Sequence, residues 1–330
     1  WRSCGPFRIT ESAGVFLMEI AGRYRDRKVG ILTGGLSAER EISRRSAAAV
    51  YGALERRGYE VELVEGDRSV AAGLSSSGVE VVFNALHGRY GEDGCVQGLL
   101  EVLRIPYTGS GVQASSLAMD KWLTKKVIES AGIPTPAADL LAAHDRPDRS
   151  YPMVLKPRSE GSSNGVGIAH GPEELPAVLA GARAFPGDVL AEDFIAGREV
   201  TVAVLEGKPL AAMEVIALGD EFHSWEVKYT AGREEFILPA PLGERYEEAM
   251  AVAAATHEAV QASVYSRVDL RIDEAGNPFV LECNTLPGLH ELGWFPRMAA
   301  FAGIEFDDLI EGLLDRADLG VVETVREEGK

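Results

Sequence analysis

Residues 265–285 read YSRVDLRIDEAGNPFVLECNT, and this stretch predicts an antiparallel β-hairpin. The turn sequence DEAGNP separates two predicted strands, YSRVDLRI and FVLECN. If the turn is centred between Ala275 and Gly276, Asp269 on the first strand lies directly across from Glu282 on the second. Two carboxylates placed in this way are about 5 Å apart, and they repel each other unless a cation lies between them.

Two interpretations of this acidic pair are open on the residues alone. Asp269, Glu282 and the amide of Asn284 are hard oxygen ligands that suit Mg²⁺, with phosphate oxygens completing the shell. Alternatively, Arg267 and Arg271, which share a face with Asp269, neutralise the acids as part of a solvated charged surface. A shift of one residue in the strand register would favour the second interpretation.

A second informative stretch is KPRSEGSSNGVG, residues 156–167, which follows the short apolar run YPMVL. Glycines allow backbone amides to approach an anion, serine hydroxyls add donors, and Lys156 supplies a positive charge. The stretch therefore suits a phosphate group, although a flexible turn has the same composition.

The rest of the chain predicts two kinds of sheet. Between residues 28 and 112, apolar strands alternate with amphipathic helices, which is typical of a parallel sheet covered by helices. A strand-rich region follows a predicted helix at 114–132 and precedes another at about 244–263. The glycine pair that ends KVGILTGG is a weak dinucleotide fingerprint, because no third glycine follows at the required spacing. The predicted fold class is therefore mixed α/β and α+β.

Composition limits the range of partners. The 330-residue chain has a formal net charge of −18, which argues against nucleic acid or an anionic membrane as the main partner. No apolar run reaches the length of a membrane span. The cysteines Cys4, Cys95 and Cys283 are far apart and form no metal-binding spacing, which indicates reduced thiols and a cytoplasmic location. Residues 1–27 are weakly patterned and are expected to form a non-native or disordered extension, of which the first 17 residues are expected to be read-through or tag-like sequence.

Six segments, taken in order, resemble the D-alanine–D-alanine ligase family of the ATP-grasp fold. They extend over nearly the whole chain from Lys28 to about residue 315. The segments are GGLSAEREISRRSA (34–47), NALHGRYGEDGCVQGLLEVLRIPYTGSGVQASSLAMDK (84–121), LKPRSEGSSNGVG (155–167), AEDFIAGREVTV (191–202), VKYTAGREEF (227–236) and RVDLRIDEAGNPFVLECNTLPG (267–288). No fragment is decisive by itself, but their order is highly specific.

The resemblance implies an architecture and an activity. The architecture is an N-terminal parallel α/β domain (28–112), followed by central (113–200) and C-terminal (201–330) α+β domains that clamp ATP. The activity is the ATP-dependent joining of two D-alanines through a D-alanyl phosphate, which supplies peptidoglycan synthesis. The implied cofactors are ATP and a pair of Mg²⁺ or Mn²⁺ ions, and the implied assembly is a homodimer.

The resemblance also implies three groups of site residues. The residues that match the ATP-binding positions are Lys121, Lys156, Glu192, Phe194, Ile195, Glu199 and Leu281. The residues that match the metal ligands are Asp269, Glu282 and Asn284. The residues that match catalytic positions are Glu39, Ser162, Tyr229, Arg267 and Gly288, and those that match substrate-binding positions are Glu39, His87, Lys228 and Gly293.

Within the last group, the expected roles differ. Glu39 is expected to receive the ammonium group of the first D-alanine, whose carboxylate lies near His87. Arg267 and the Gly288 N–H are expected to face the oxyanion that develops when the amide forms. On the residues alone, Glu39 could instead complement a helix N-terminus, and His87 could be a turn residue that bonds to backbone.

The chain departs from the family at two places. The stretch HSWEVKY stands where the family often has Tyr-Asp-Tyr before a Lys-Tyr pair. Gly293 and Trp294 stand where the family usually has Ser and Leu, at the carboxylate of the second substrate. Since glycine offers no hydroxyl and Trp294 is wider than leucine, weaker acceptor binding and looser selectivity among small D-amino acids are expected. The alternatives are a related ligase with another acceptor and a catalytically silent nucleotide-binding homologue.

Overall fold

The computed structural model describes residues 8–9, 18–219, 232–291 and 293–320, and of residues 8–9 only the backbone. Three β-sheets follow one another along the chain, and helices pack on them. The first sheet is parallel, and the other two are almost entirely antiparallel. The predicted mixture of α/β and α+β architecture is therefore confirmed.

The N-terminal sheet is parallel, as the alternation of strands and helices predicts. Its strand order is β3-β2-β4, with bounds β2 (Lys28–Thr33), β3 (Glu60–Glu65) and β4 (Val81–Asn84). The helices that cover it are α1 (Arg40–Arg56), α2 (Val70–Ser77) and α3 (Cys95–Leu103). Of these, α2 has no counterpart in the sequence prediction, because its run of Ser and Gly residues resembles a loop.

The single helix predicted at 114–132 is wrong, since the structure has two helices there. They are α4 (Val112–Met119) and α5 (Lys121–Ser130), separated by Asp120 in an extended conformation. The Asp120 carboxylate accepts a hydrogen bond from the Leu123 N–H at 3.0 Å, so that it caps the start of α5. This cap places Lys121 at the first position of a new helix.

The central sheet is antiparallel with the strand order β5-β8-β6-β7. Its elements are β5 (Ala138–Leu141), β6 (Met153–Pro157), β7 (Gly167–Ala169), α6 (Leu175–Arg183) and β8 (Val189–Asp193). Lys156 on β6 pairs with Leu190 on β8, and Val154 pairs with Glu192. Lys156 and Glu192 are therefore diagonal neighbours on one face of the sheet.

The C-terminal sheet has six strands in the order β1-β11-β10-β9-β12-β13. Its elements are β1 (Arg8–Ile9), β9 (Arg198–Leu205), β10 (Lys208–Ala217), β11 (Glu234–Leu238), α7 (Tyr246–Ala259), β12 (Tyr265–Ile272), β13 (Pro278–Asn284), α8 (Trp294–Phe301) and α9 (Phe306–Asp315). Strand β9 begins at Arg198, three residues before the expected boundary at 201. Helix α7 is shorter than the helix predicted at 244–263.

Strands β12 and β13 form the predicted hairpin, and Asp269 pairs with Glu282 as expected. Next to this pair, Leu270 is opposite Val280, so that Leu281 is an extra residue with no partner in the ladder. Such a β-bulge changes which face the following side chains point to. As a result Leu281 and Glu282 both line the same cleft, although they are consecutive.

The segment before β2 belongs to the folded structure from at least Ala21 onwards. The backbone N–H groups of Ala21, Gly22 and Arg23 donate to the Asp315 carboxylate at 2.7–2.9 Å. Tyr24 is buried, and its hydroxyl donates to the Ala317 carbonyl at 2.7 Å. These contacts lie inside the extension expected at 1–27, whereas most of residues 1–17 lie outside the described part of the chain.

Candidate active site

A cleft lies between the central sheet and the C-terminal sheet. Its lining includes all seven residues that match ATP-binding positions, namely Lys121, Lys156, Glu192, Phe194, Ile195, Glu199 and Leu281. Two of the three residues that match metal ligands, Asp269 and Glu282, line it as well. Other lining residues, none of which was predicted to bind ATP or a metal, include Val154, Glu160, Ile168, Asp193 and Arg271. The cleft therefore combines apolar walls with two lysines and several carboxylates.

A buried carboxylate between two lysines lies at one side of the cleft. Glu192 is 1% exposed, and its oxygens lie 2.6 Å from Lys156 Nζ and 3.1 Å from Lys125 Nζ. Burial opposes ionisation of Glu192, but the two lysines hold its pKa below the ordinary value. Burial also lowers the pKa of Lys125 to about 8. Sequence reasoning missed Lys125, although its position one helical turn after Lys121 was an available signal.

Lys121 lies between the glycine-rich loop and the acidic pair. Its Nζ donates to the Glu160 carbonyl at 2.5 Å and is 3.2 Å from Glu282 Oε2. In the loop, Ser162 and Ser163 both adopt positive φ angles, 51° and 57°. Such left-handed conformations are uncommon for residues with side chains and are found at sites where a loop binds a ligand.

Asp269 accepts hydrogen bonds from three neighbouring side chains. It accepts from Thr201 Oγ1 at 2.6 Å, from Arg267 Nε and Nη2 at 2.8 and 2.7 Å, and from Asn284 Nδ2 at 3.2 Å. Thr201 is buried on the neighbouring strand β9, and sequence reasoning missed it. Both open interpretations of the acidic pair thus have support, because Arg267 neutralises Asp269 while Glu282 lies opposite it in the cleft.

The acidic pair fits a metal ion only if a substrate supplies further ligands. Over the described residues, no group of three or more His, Cys, Asp or Glu side chains is placed to hold a metal. The predicted set is smaller, since it comprises the carboxylates of Asp269 and Glu282 and the amide of Asn284. Phosphate oxygens would complete the six ligands that Mg²⁺ prefers, and the neighbouring Lys121 suits bound phosphates.

Arg271 attaches the loop before β9 to strand β12. Its Nε and Nη2 donate to the carbonyls of Ile195 and Gly197 at 3.1 and 2.9 Å. Gly197 has a φ of +134°, and a Cβ there would lie 2.0 Å from the Ile272 carbonyl oxygen. A side chain cannot be accommodated at Gly197, so that the loop carrying Phe194 and Ile195 packs directly on β12.

Glu39 lies at the other side of the glycine-rich loop, where it accepts a hydrogen bond from the Ser162 hydroxyl. Its carboxylate also packs against two glycines, because a Cβ at Gly88 or Gly161 would lie 2.5 or 2.9 Å from Oε2. The structure thus brings Glu39 and Ser162 into contact. Tyr229 and Lys228 lie outside the described residues.

A second acid, Glu92, lies close to Glu39 and was missed by sequence reasoning. The Gly88 N–H donates to Glu92 Oε1 at 2.9 Å. Burial and then the charge of Glu39 raise the pKa of Glu92 to about 8, so that Glu92 is largely protonated at neutral pH. The available signal was its place in the motif HGRYGEDG, five residues after His87.

His87 supports the segment that carries Gly288. Its Nε2 lies 3.1 Å from Ser46 Oγ, and Ser46 Oγ accepts from the Leu289 N–H at 3.2 Å. The ring also hydrogen-bonds the Leu286 carbonyl. Burial, followed by the charges of His290 and Arg267, lowers the pKa of His87 to about 4, so that the ring is neutral at neutral pH.

We expect this buried histidine to make the protein less stable in acid. Below about pH 6.5 His87 is protonated in the unfolded chain, whereas in the folded protein it becomes protonated only below about pH 4. The free energy of unfolding therefore falls as the pH drops through this range, by up to roughly 3 kcal/mol from His87 alone. Urea unfolding of the wild type and of His87→Gln, at about pH 7 and about pH 4.5, measures this contribution. An equal loss of stability in both proteins would contradict it.

Gly293 has no room for a side chain. Its N–H donates to the His290 carbonyl at 2.7 Å, and it immediately precedes α8. A Cβ at Gly293 would lie 2.8 Å from the Gly288 carbonyl oxygen and 3.0 Å from that of His290. The absence of a serine at this position therefore agrees with the close packing of the segment 288–293.

Comparison with family models gives matches over most of the chain. A model described as the D-ala D-ala ligase C-terminus matches residues 124–315. A model described as the D-ala D-ala ligase N-terminus matches residues 66–110. The N-terminal match precedes the C-terminal match along the chain.

Individual proteins are similar over a comparable length. A D-alanine–D-alanine ligase of Syntrophotalea carbinolica is 46% identical over 301 residues, which cover 89% of this chain and 97% of that protein. The crystal structure of the D-alanine–D-alanine ligase from Bacillus anthracis matches with a TM-score of 0.79 at 31% identity, covering 88% of this chain and 96% of that one. The structure of the Bacillus anthracis ligase complexed with ATP matches with a TM-score of 0.76 at 29% identity, with the same coverage.

Proposed function

The chain belongs to the D-alanine–D-alanine ligase family, and we propose that the cleft between its central and C-terminal sheets is the active site. The protein is an ATP-dependent ligase that joins two D-alanine molecules, an activity that serves peptidoglycan synthesis. The observation that carries the proposal is that one cleft contains all seven expected ATP-binding residues together with Asp269 and Glu282. A catalytically silent homologue is not favoured, because these polar residues are all in place.

The first step activates a carboxylate, which is a poor electrophile, by transfer of the γ-phosphoryl group of ATP to form D-alanyl phosphate. Lys121 and Lys156 would neutralise charge on the transferring group, and the loop that contains Ser162 and Ser163 would cover it. The adenine would lie against Leu281 and Phe194 at the apolar end of the cleft. Arg271 attaches the loop 194–197, which would lie near the adenine, to β12. Strands β12 and β13 would therefore support both the adenine end and the phosphate end of the nucleotide.

Magnesium would be held by Asp269, Glu282 and Asn284, where it would neutralise charge on the phosphates. In the chain itself, Arg267 and Lys121 hold these carboxylates in place. Thr201 fixes the Asp269 carboxylate from the side of β9. The chain thus presents the acidic pair in a defined orientation.

The donor amino acid would bind near Glu39. Its ammonium group carries a positive charge, and Glu39 offers a buried carboxylate that the Ser162 hydroxyl orients. The raised pKa of Glu92 favours its neutral form, so that Glu92 adds little negative charge beside Glu39. We infer that Tyr229 and Lys228 complete the enclosure of the donor, as the resemblance implies.

The second step forms the amide bond. The amine nitrogen of the second D-alanine attacks the carbonyl carbon of the acyl phosphate and loses a proton, and negative charge develops on the carbonyl oxygen. Arg267 and the Gly288 N–H would stabilise this oxyanion, and phosphate leaves as the bond to carbon breaks. Holding both substrates in line supplies a further part of the rate, because it removes the entropic cost of their encounter.

The cellular setting is also a proposal. We propose that the ligase acts in the cytoplasm as a homodimer, in keeping with its dispersed cysteines and its family. Among the helices that the structure describes, none has the length and apolar character needed to cross a membrane.

The activity is tested by incubating the protein with ATP, Mg²⁺ and a panel of D- and L-amino acids, and by measuring phosphate release and product mass. We expect D-alanyl-D-alanine as the main product, and we expect L-alanine to be excluded as donor because Glu39 and Ser162 define the position of the ammonium group. Phosphate release that does not depend on any amino acid would argue against the proposed function.

We further expect the acceptor site to be less selective than in relatives with a serine at position 293. A hydroxyl donating to the acceptor carboxylate contributes roughly 1.5–3 kcal/mol, and Gly293 cannot supply it. This loss weakens binding of every acceptor, and the ring of Trp294, which is wider than the usual leucine, is expected to reshape the apolar wall. D-serine and other small D-amino acids should therefore compete with D-alanine as second substrate, within about tenfold in kcat/KM. Gly293→Ser serves as the comparison, although its Cβ crowds the Gly288 carbonyl. Complete exclusion of D-serine by the wild type would refute this expectation.

A further inference from the structure

Arg267 is held from two directions. Its Nε and Nη2 donate to the Asp269 carboxylate at 2.8 and 2.7 Å. The indole ring of Trp294 lies against the same guanidinium, with Cζ 5.0 Å from the ring centroid. The carboxylate fixes the plane of the guanidinium and the ring covers it, so that both contacts together restrict where its N–H groups point.

Trp294 is itself fixed by aromatic packing. Its ring meets Phe236 edge to face, with centroids 6.2 Å apart and an interplanar angle of 68°. The guanidinium of Arg297 lies over the other ring of this pair, with Cζ 4.6 Å from the Phe236 centroid. Phe236 is 8% exposed and belongs to the largest hydrophobic core of the described residues. Trp294 therefore connects Arg267 to a rigid part of the protein.

Gly293, the residue before Trp294, contacts the segment that carries Gly288. A Cβ at Gly293 would lie 2.8 Å from the Gly288 carbonyl oxygen, so that only a glycine allows this approach without a shift. Gly288 and Arg267 are the two groups that the proposed mechanism places at the oxyanion. Each of them therefore contacts one of two consecutive residues at the start of α8.

Building on the proposed function, we propose that Gly293 and Trp294 act as one positioning unit for the second chemical step. Trp294 orients the guanidinium of Arg267, and Gly293 sets the distance of the Gly288 backbone from the same point. Neither residue touches the reacting atoms in this proposal, so that both are positioning residues. The unit accounts for both departures from the family at positions 293 and 294 together, because the glycine makes room for the segment and the large ring reaches Arg267.

The test compares Trp294→Leu, which installs the residue that the family usually has, with Trp294→Phe, which keeps an aromatic ring. We expect kcat for dipeptide formation to fall about tenfold in Trp294→Leu, with KM for ATP and for D-alanine within about threefold of wild type. Trp294→Phe should retain kcat within about threefold. Phe301→Leu is the matched control, since it removes an aromatic ring at the far end of the same helix and should leave kcat unchanged.

A rise in KM for the second D-alanine without a change in kcat would overturn the proposal, because Trp294 would then be only a wall of the acceptor site. An equal loss of kcat in Trp294→Phe and Trp294→Leu would also overturn it.

A second measurement does not depend on activity. The thermal unfolding midpoints of Arg267→Met, Trp294→Leu and the double variant form a cycle, and we expect the double variant to lose less than the sum of the single losses. Additive losses would refute the contact on which the proposal rests. If the wild type forms no dipeptide, the proposed function fails while this cycle still decides the role of Trp294.

Discussion

Replacement of Asp269 by Asn is expected to lower the turnover number about 100-fold or more, which corresponds to about 3 kcal/mol in the activation barrier. The substitution removes one of the two negative charges of the acidic pair, and it weakens the two hydrogen bonds that orient Arg267. The rates of both chemical steps should therefore fall. Steady-state release of ADP at saturating ATP and D-alanine measures the effect, and a titration with Mg²⁺ should show a higher requirement for the ion.

Thr201→Val is the matched control for this experiment. It removes a single neutral donor to Asp269 and leaves the charge in place, so that a loss of no more than about tenfold is expected. The unfolding midpoints of both variants show whether the fold is intact. Turnover of Asp269→Asn within threefold of wild type, in a folded protein, would exclude Asp269 from the reaction.

Replacement of Glu192 by Gln is expected to reduce the free energy of unfolding by about 3–5 kcal/mol. Glu192 is buried between Lys125 and Lys156, and the substitution would leave two buried lysines without their shared counter-charge. Repulsion between the lysines adds to the loss, although the low pKa of Lys125 allows it to give up its proton. Urea unfolding in the absence of nucleotide measures the change.

Asp193→Asn provides the control for Glu192→Gln. Asp193 is the next residue, and its side chain, which pairs with Arg149, is 47% exposed. A pair exposed to this degree contributes about 1 kcal/mol or less. If Glu192→Gln is no more destabilising than Asp193→Asn, the buried ion pairs of Glu192 with Lys125 and Lys156 do not stabilise the fold as their burial indicates. Added ATP should stabilise the Glu192→Gln protein, because the phosphates would supply negative charge to Lys156.

The sequence predicted those parts of the site in which local pattern and spacing decide the geometry. Alternation along β12 and the turn sequence DEAGNP were sufficient to place Asp269 opposite Glu282. The predicted centre of the turn was only partly right, because the strand pairs nearest the turn are centred on Ala275. The extra residue Leu281 then shifts the register, so that Asp269 still pairs with Glu282. The parallel N-terminal sheet followed from the alternation of strands and helices in the same way.

Features that depend on tertiary contacts were not predicted. The break between the two helices depends on a capping hydrogen bond to the Asp120 carboxylate. Because an aspartate can equally well lie inside a helix, the pattern of ASSLAMDKWLTKKVIESAG predicts one continuous helix. Lys125 and Glu92 are charged residues on helical or loop positions, and such residues are usually solvated. Only the packing of other segments around them gives them their shifted pKa values. The assigned roles of the site residues remain predictions until the variants are measured.

The extra residue in β13 has a consequence for how this hairpin can change by mutation. Deletion of one residue from a regular strand turns every following side chain to the opposite face. Deletion of Leu281 would instead leave an unbroken ladder, because Leu270–Val280 and Asp269–Glu282 would become successive pairs. Leu281 is therefore a single-residue insertion in an otherwise regular strand. A change at this position is therefore expected to alter the wall of the cleft while Asp269 and Glu282 remain opposite each other.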